Sequence, residues 1–260
     1  MTYCIAIKLD DGLVFLSDSR TNAGVDDVST YRKMTIFNEN YDRSVVLMSS
    51  GNLAISQSIR QILIQKKQAS TIWKATSLFD IAETVGEAIK EVYKRDSSTM
   101  NDLGVDFNCS FILGGQIQKE HCRLFKIYSA GNFIETDTEC NYFQIGESKY
   151  GKPILDRVLN SDMDLDVAAK CALLSMDSTL KSNISVGLPL DLLVYKKNDF
   201  MINNYLSISD KNSYFNEIRT SWSSYLRDAF DQLPDINWSN PTANHSHEIY
   251  NKQLLQKKLK

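Results

Sequence analysis

The second residue of the chain is a threonine, and its position matters more than its type. A threonine hydroxyl is a weak nucleophile at its ordinary pKa and needs a base beside it. When threonine begins a mature chain, its own α-amine, with a reference pKa of about 7.7–8.0, can be that base. Initiator methionine is removed when the residue after it is small, so loss of Met1 is expected and leaves Thr2 with a free amine. Other nucleophile arrangements find less support. The chain has three histidines, His121, His245 and His247. His121 precedes a predicted strand and the other two sit in a polar tail, so a Ser-His-Asp or Cys-His engine lacks a placed base. There is no G-x-S-x-G, no glycine-rich phosphate loop and no H-E-x-x-H. His245-Ser246-His247-Glu248 carries metal-type donors, but a surface tail lacks the supporting shell of a closed metal site. No metal or other cofactor is expected.

Composition narrows the classes further. A formal charge of −3 over 260 residues gives no electrostatic case for nucleic acid or an anionic membrane surface. No apolar run approaches the ~20 residues that span a bilayer. The apolar run from Tyr3 is broken by Lys8, Asp10 and Asp11, so no signal peptide is expected. The five cysteines, Cys4, Cys109, Cys122, Cys140 and Cys171, form an odd set without a C-x-x-C pair, which fits reduced thiols in a cytoplasmic protein. With 43% hydrophobic residues the chain can bury one large core. Residues 1–233 are expected to form one domain including a late helix, with residues 234–260 a polar extension.

Periodicity supplies the elements that must position Thr2. Tyr3 to Leu9 reads as a strand, Asp10-Asp11-Gly12 as a turn, and Leu13 to Leu16 as the returning strand. Strands are predicted again near Met34–Phe37 and Ser44–Met48. The period then changes to helical over Leu53, Ile55, Ile59, Ile62 and Leu63, and over Leu78 to Val92, with Ser77 and Asp80 resembling a capping box. Strands come next at Phe107–Leu113, Arg123–Tyr128 and Phe133–Thr136. Helices are expected over roughly Lys149–Leu159 and Leu165–Leu180, then strands at Leu190–Tyr195 and Met201–Leu206. A last helix near Tyr214–Phe230 presents Tyr214, Ile218, Trp222, Tyr225 and Leu226 on one side. Helices in sequential pairs suit an α+β fold of four layers, αββα, with two antiparallel sheets face to face and a helix pair outside each.

Four segments together carry a family resemblance. Met1-Thr-Tyr-Cys-Ile-Ala-Ile, Ser17-Asp18-Ser19-Arg20-Thr21-Asn22-Ala23-Gly24, Arg32-Lys33-Met34 and Ser49-Ser50-Gly51-Asn52 resemble a proteasome β-type subunit. More narrowly, they are similar to the bacterial branch called Anbu, the ancestral β-subunit, which starts directly with Met-Thr. Ile145 to Ile154 and Ser175 to Leu190 resemble the same branch, and the similarity extends to about Leu206. The resemblance implies an N-terminal-nucleophile hydrolase fold with an extra C-terminal helix. It implies Thr2 as nucleophile with its own amine as proton acceptor, Lys33 as the buried catalytic lysine and Asp18 as its carboxylate partner. Gly51 matches the glycine whose backbone N–H forms the oxyanion hole. Asp177 matches the aspartate that supports the threonine end, with Ser178 or Ser182 as its accompanying serine. Gly146-Glu147-Ser148 occupies the region of the serine that orients the threonine amine. Thr21, Asn22, Ser49 and Leu53 match the substrate groove, and being small or neutral they select no side-chain class. The spacing from Thr2 to Lys33 is one residue shorter than in better-known proteasome subunits, so the intervening loop must differ.

The resemblance therefore implies a threonine-type peptidase cutting peptide amide bonds inside a self-assembled ring or spiral of identical chains. Two alternatives stay open at this level, an assembly or binding scaffold with little proteolysis and a small-molecule amidase. Trp222 is the position on the late helix where aromatic enrichment of interface cores points to a contact between copies.

Overall fold

The computed structural model describes residues 2–22, 28–65, 72–137 and 139–236. Met1 and the tail that carries His245, His247 and the C-terminal lysines lie outside the described residues. The contacts divide the chain inside its last helix, between Arg219 and Thr220.

The first unit is built on two antiparallel five-stranded sheets. One has the order β10 (Tyr142–Gly146), β1 (Tyr3–Leu9), β2 (Gly12–Asp18), β11 (Leu190–Lys196), β12 (Asn204–Ile208). The other runs β5 (Met34–Glu39), β6 (Arg43–Gly51), β7 (Cys109–Ile117), β8 (Arg123–Ile127), β9 (Phe133–Glu135). A small hairpin of β3 (Arg20–Asn22) and β4 (Val28–Thr30) stands between β2 and Lys33 in the chain. Helices α1 (Leu53–Ile64) and α2 (Leu78–Asp102) cover the second sheet; α3 (Lys152–Val158) and α4 (Leu165–Ser182) cover the first.

The period-2 geometry of a strand explains the layering. On β1, Tyr3, Ile5, Ile7 and Leu9 face the helix-covered core with Ala168, Ala172 and Met176 of α4. Cys4 and Ala6 alternate onto the opposite face, where they meet Phe15, Met48, Ile112 and Tyr195 between the sheets. Small residues on one strand leave room for large ones on its neighbours, as native packing density requires. A Cβ at Gly114 would lie 2.8 Å from the ring of Phe15, so this glycine admits that ring between the sheets. The outer core takes Ile55, Ile59 and Leu63 from α1 and Leu78, Ile81, Val85, Ile89 and Val92 from α2. The α2 start is a capping box: the Ser77 hydroxyl accepts from Asp80 N at 3.1 Å, and Ser77 N donates to Asp80 Oδ2 at 3.0 Å. The fold is the expected αββα sandwich.

Local pattern erred where tertiary pairing decides. β7 begins at Cys109 rather than Phe107 and continues to Ile117, because Phe15 fills the space beside Gly114 and β6 pairs along the full length. The strand expected at Met201–Leu206 is displaced to Asn204–Ile208 by its register on β11. β3, β4 and β10 have no counterpart among the elements expected from periodicity, and β10 positions Thr2. The last helix, α5 (Ser213–Asp231), buries Phe215 and packs Ile218 onto the outer core of the first sheet. Farther along α5, Trp222 is half-buried, whereas Tyr225 and Leu226 are exposed.

Candidate active site

Thr2 is held in place through its neighbour Tyr3 and through its own carbonyl. Tyr3 is fully buried, and its phenol closes a chain of hydrogen bonds. Gln144 of β10 donates to Tyr3 Oη, and Tyr3 shares a 2.7 Å bond with Ser175 Oγ of α4. Because Ser175 gives its own proton to Gly151 O at 3.0 Å, the Tyr3 hydroxyl is the donor to Ser175. Burial pushes the Tyr3 phenol above its ordinary range, so it remains a donor across the working pH of most proteins. The Thr2 carbonyl accepts from Glu147 N at 2.7 Å, immediately after the last residue of β10. Thr2 is itself 9% exposed.

Asp18 ends β2 and gathers three groups. Its Oδ1 accepts from Lys33 Nζ at 2.6 Å and from Tyr3 N at 2.9 Å, while Oδ2 accepts from Gly187 N at 3.3 Å. Lys33 also donates to the Arg20 carbonyl at 2.7 Å. Asp18 is 0% exposed and Lys33 6%, so this ion pair is buried on both sides. Burial pushes the Asp18 carboxyl up, and the Lys33 ammonium with the two backbone N–H groups opposes that push. One carboxylate oxygen thus ties the lysine to the backbone of the residue next to Thr2.

Gly51 ends β6 at φ +102°, a backbone conformation that favours glycine. A Cβ there would lie 2.4 Å from the Asn108 carbonyl. Asn52 comes next as the cap of α1, accepting from Ala54 N at 3.0 Å, so the turn places a helix start directly after Gly51. Ser49, two residues before it, donates its N–H to the Lys33 carbonyl at 3.2 Å, which joins β6 to the lysine. Thr21 is half-buried and pairs with Ser29 across the β3–β4 hairpin; Asn22 is placed as the last residue of β3. Ser49, together with Lys33, lines a narrow pocket whose other walls include Arg32, Thr35, Leu47 and Arg60. Neither arginine was singled out in the sequence. Arg60 falls on the exposed side of α1, and the packing of α1 on β6, with a 3.0 Å bond from Arg60 to Thr35 Oγ1 of β5, brings it to the wall of the pocket that Lys33 also lines.

Asp177 and Ser182 are placed differently from the residues around Thr2. Asp177 is 0% exposed, and its carboxylate takes a 2.5 Å bond from Arg219 of α5 and stands 3.4 Å from Lys181. Ser182 is exposed at the last residue of α4. The residue after it, Asn183, is the one that reaches toward the threonine end: its amide donates to Glu147 Oε2 at 3.2 Å, and Glu147 N holds the Thr2 carbonyl. Sequence reasoning passed over Asn183 as a site residue and named Glu147 only as part of Gly146-Glu147-Ser148, the segment in the region of the amine-orienting serine. A polar residue at a helix C-cap was the one available signal. The Asp177–Arg219 pair anchors the start of α5. Arg219→Leu is therefore expected to lower stability by about 1–3 kcal/mol, the cost of leaving a buried carboxylate short of its charged donor. The same variant is expected to leave the reactivity of Thr2 in folded protein unchanged. Thermal unfolding and electrophile labelling check the two halves, and a collapse of labelling would show that Asp177 acts on Thr2.

Among the described residues no group of three or more His, Cys, Asp and Glu side chains is arranged to hold a metal ion. No helix among them is long and apolar enough to cross a membrane.

A sandwich of two antiparallel sheets with helices on both outer faces, and a buried Asp18–Lys33 pair bonded to the Tyr3 N–H, defines a proteasome-like architecture. The chain belongs to the proteasome subunit family, whose model matches residues 2–193. Within that family it is similar to solved Anbu structures. Anbu (ancestral beta-subunit) from Yersinia bercovieri is 48% identical with a TM-score of 0.85, covering 90% of this chain and 98% of that one. A Gly-1 mutant of Anbu from Hyphomicrobium sp. strain MC1 is 44% identical with a TM-score of 0.85, covering 91% and 100%. The helical assembly of the Anbu complex from Pseudomonas aeruginosa is 42% identical with a TM-score of 0.84, covering 91% and 99%. No curated protein matches the chain.

Proposed function

We propose that the chain is a threonine-type N-terminal-nucleophile hydrolase that cleaves peptide amide bonds after Met1 has been removed. The observation that carries this reading is the shared Asp18 oxygen, which accepts from Lys33 at 2.6 Å and from the backbone N–H of Tyr3 at 2.9 Å. A buried ammonium held beside an N-terminal threonine favours its neutral amine and a more acidic hydroxyl. In the reaction the freed Thr2 amine takes the hydroxyl proton as Oγ1 attacks the amide carbonyl. The negative charge passes to the carbonyl oxygen, for which the Gly51 N–H is the proposed donor. Collapse breaks the C–N bond, the amine returns the proton to the leaving group, and an ester on Thr2 remains. Water activated by the same amine then hydrolyses that ester and restores the hydroxyl. Thr21, Asn22 and Ser49 are the proposed substrate contacts, and Asp177 with Ser182 the proposed outer support, holding the end of α4 in place without acting on Thr2 directly.

The Pseudomonas aeruginosa relative is a helical assembly. We extend assembly from identical chains to this protein, with peptide or polypeptide as substrate, no cofactor and a cytoplasmic setting. Enclosing the nucleophile among copies keeps such a site away from bystander proteins.

Intact-mass measurement tests the reading. Natively expressed protein is expected to lack Met1, and a peptide electrophile that captures N-terminal threonine is expected to add its mass once per chain, at Thr2. Full-length chains throughout, or adduct on another residue, would overturn it.

A further inference from the structure

Asp18 is not the only carboxylate buried at this end of the first sheet. Asp191 of β11 is 3% exposed and faces Ser17 of β2 in the strand register, as Cys4 of β1 does from the other side. Along the same face of β11 come Leu193 and Tyr195, which fill the space between the sheets. A carboxylate adds nothing to such packing and costs desolvation. Its partners show what it holds. Tyr205 of β12 donates to Oδ1, and burial raises the Tyr205 phenol to about 12, so the donor keeps its proton. Among the described residues Oδ2 makes no hydrogen bond, nor does the Ser17 hydroxyl opposite. The charge on Oδ2 is met by Arg32, whose Nε stands 3.4 Å away while the guanidinium lies 5.6 Å over the Tyr205 ring. Because the acid side of this pair is buried, water and salt screen it less than they screen an exposed pair.

Arg32 immediately precedes Lys33, and neither lies within a strand, since β5 starts at Met34. Two consecutive cations are thus gripped by two carboxylates of the first sheet, Arg32 by Asp191 and Lys33 by Asp18. The carboxylates stand on neighbouring strands one register step apart, Asp191 opposite Ser17 and Asp18 opposite Leu190. Burial pushes the Cys4 thiol up, and the charges of Lys33, Asp18 and Asp191 all act on it, which places the acids and the lysine around one buried atom. On the second sheet Ser49 N holds the Lys33 carbonyl at 3.2 Å. Resting on the threonine-hydrolase reading, we infer that Asp191, with Tyr205, is a positioning residue for Lys33. It fixes Arg32 to the first sheet and, through the one peptide bond between them, sets where the Lys33 ammonium stands relative to Asp18 and Thr2. Asp191 acts through the lysine and not on the substrate.

The test separates the rate of Thr2 labelling at saturating peptide electrophile from the concentration that half-saturates the site. Arg32 is 63% exposed, so Arg32→Ala leaves the core intact, and its melting temperature is expected within about 2 °C of the parent. The saturating rate is expected to fall about tenfold. A shift of the order of 1 Å at a reacting group costs about 10², and the bond to Asp18 holds the shift to less. The half-saturating concentration is expected to stay unchanged. Asp191→Asn, which keeps an acceptor for Tyr205, is expected to show the same loss, and the double variant no more than either single one, because each removes the same tie. A parent rate in Arg32→Ala, a change confined to the half-saturating concentration, or losses that multiply to about a hundredfold in the double variant would overturn the assignment while leaving the hydrolase reading standing. If Asp191→Asn does not fold, Arg32→Ala decides by itself. If the parent protein does not label at all, the hydrolase reading falls and hydrogen exchange judges the tie. The Ser49 amide, bonded to the Lys33 carbonyl, is expected to exchange faster in Arg32→Ala by about the same tenfold factor, and an unchanged rate overturns the positioning role.

Discussion

Lys33→Met is expected to reduce electrophile labelling of Thr2 by at least about 10²-fold, the lower end of what losing a placed electrostatic group costs at a reacting centre. It is also expected to destabilise the fold by about 3–5 kcal/mol at neutral pH, because removing one partner of a buried pair leaves the other charge uncompensated. Asp18 would keep only the Tyr3 and Gly187 N–H groups as partners. The pH dependence has a definite sign. In the parent chain burial already raises the Asp18 carboxyl, and Lys33 is the largest influence opposing it. Taking Lys33 away lets the carboxyl rise further. A raised folded pKa means the folded state holds the proton more tightly than the unfolded chain, whose carboxyl titrates near 3.9. That contribution is fully present below the unfolded value and is lost as pH rises through the folded one. The deficit of the variant against the parent should accordingly be larger at pH 8 than at pH 5, measured by thermal unfolding. Adding Asp18→Asn should return most of the stability and none of the labelling. Labelling at the parent rate in Lys33→Met would make the pair purely structural.

Gly146→Ala is expected to disable the site from the opposite side. Gly146 closes β10 at φ +82° and faces Tyr3 in the β1 register. A Cβ there would stand 1.9 Å from the Thr2 carbonyl oxygen and 2.7 Å from its carbon, both backbone atoms that cannot swing aside. Relief requires β1 and β10 to part where Glu147 N bonds Thr2 O at 2.7 Å. A shift of the order of 1 Å at a reacting group costs about 10² in rate, so labelling should fall by at least that factor. Stability should fall by about 1–3 kcal/mol from the strained backbone. Gly131→Ala supplies the control. Its φ is +79° and its Cβ would meet Gly86 O at 2.6 Å, under α2 and on the other sheet from Thr2. It should lower the melting temperature while folded protein labels at the parent rate. Equal labelling of Gly146→Ala and the parent would show that Thr2 does not need β10 to hold it.

Much of the architecture was legible because its signals are local. The alternation of Tyr3 to Leu9 assigns opposite faces to neighbouring residues, and the capping box at Ser77 and Asp80 starts a helix with bonds no more than three residues long. Paired helices between runs of strands then dictated an αββα order, and a threonine behind the initiator methionine was the local signal for the chemistry proposed for it. The sequence could not show which distant segments meet. β10 pairs with β1 across more than a hundred residues, and a short strand of Tyr-Phe-Gln-Ile-Gly has no period long enough to declare itself. The Glu147–Asn183 bond behind Thr2, the capture of Asp177 by Arg219 and the arrival of Arg60 beside Lys33 depend on how whole elements pack. Periodicity determined which face of each element is buried; only tertiary packing determined which polar residue on the remaining faces meets which, because those contacts carry no repeat in the chain.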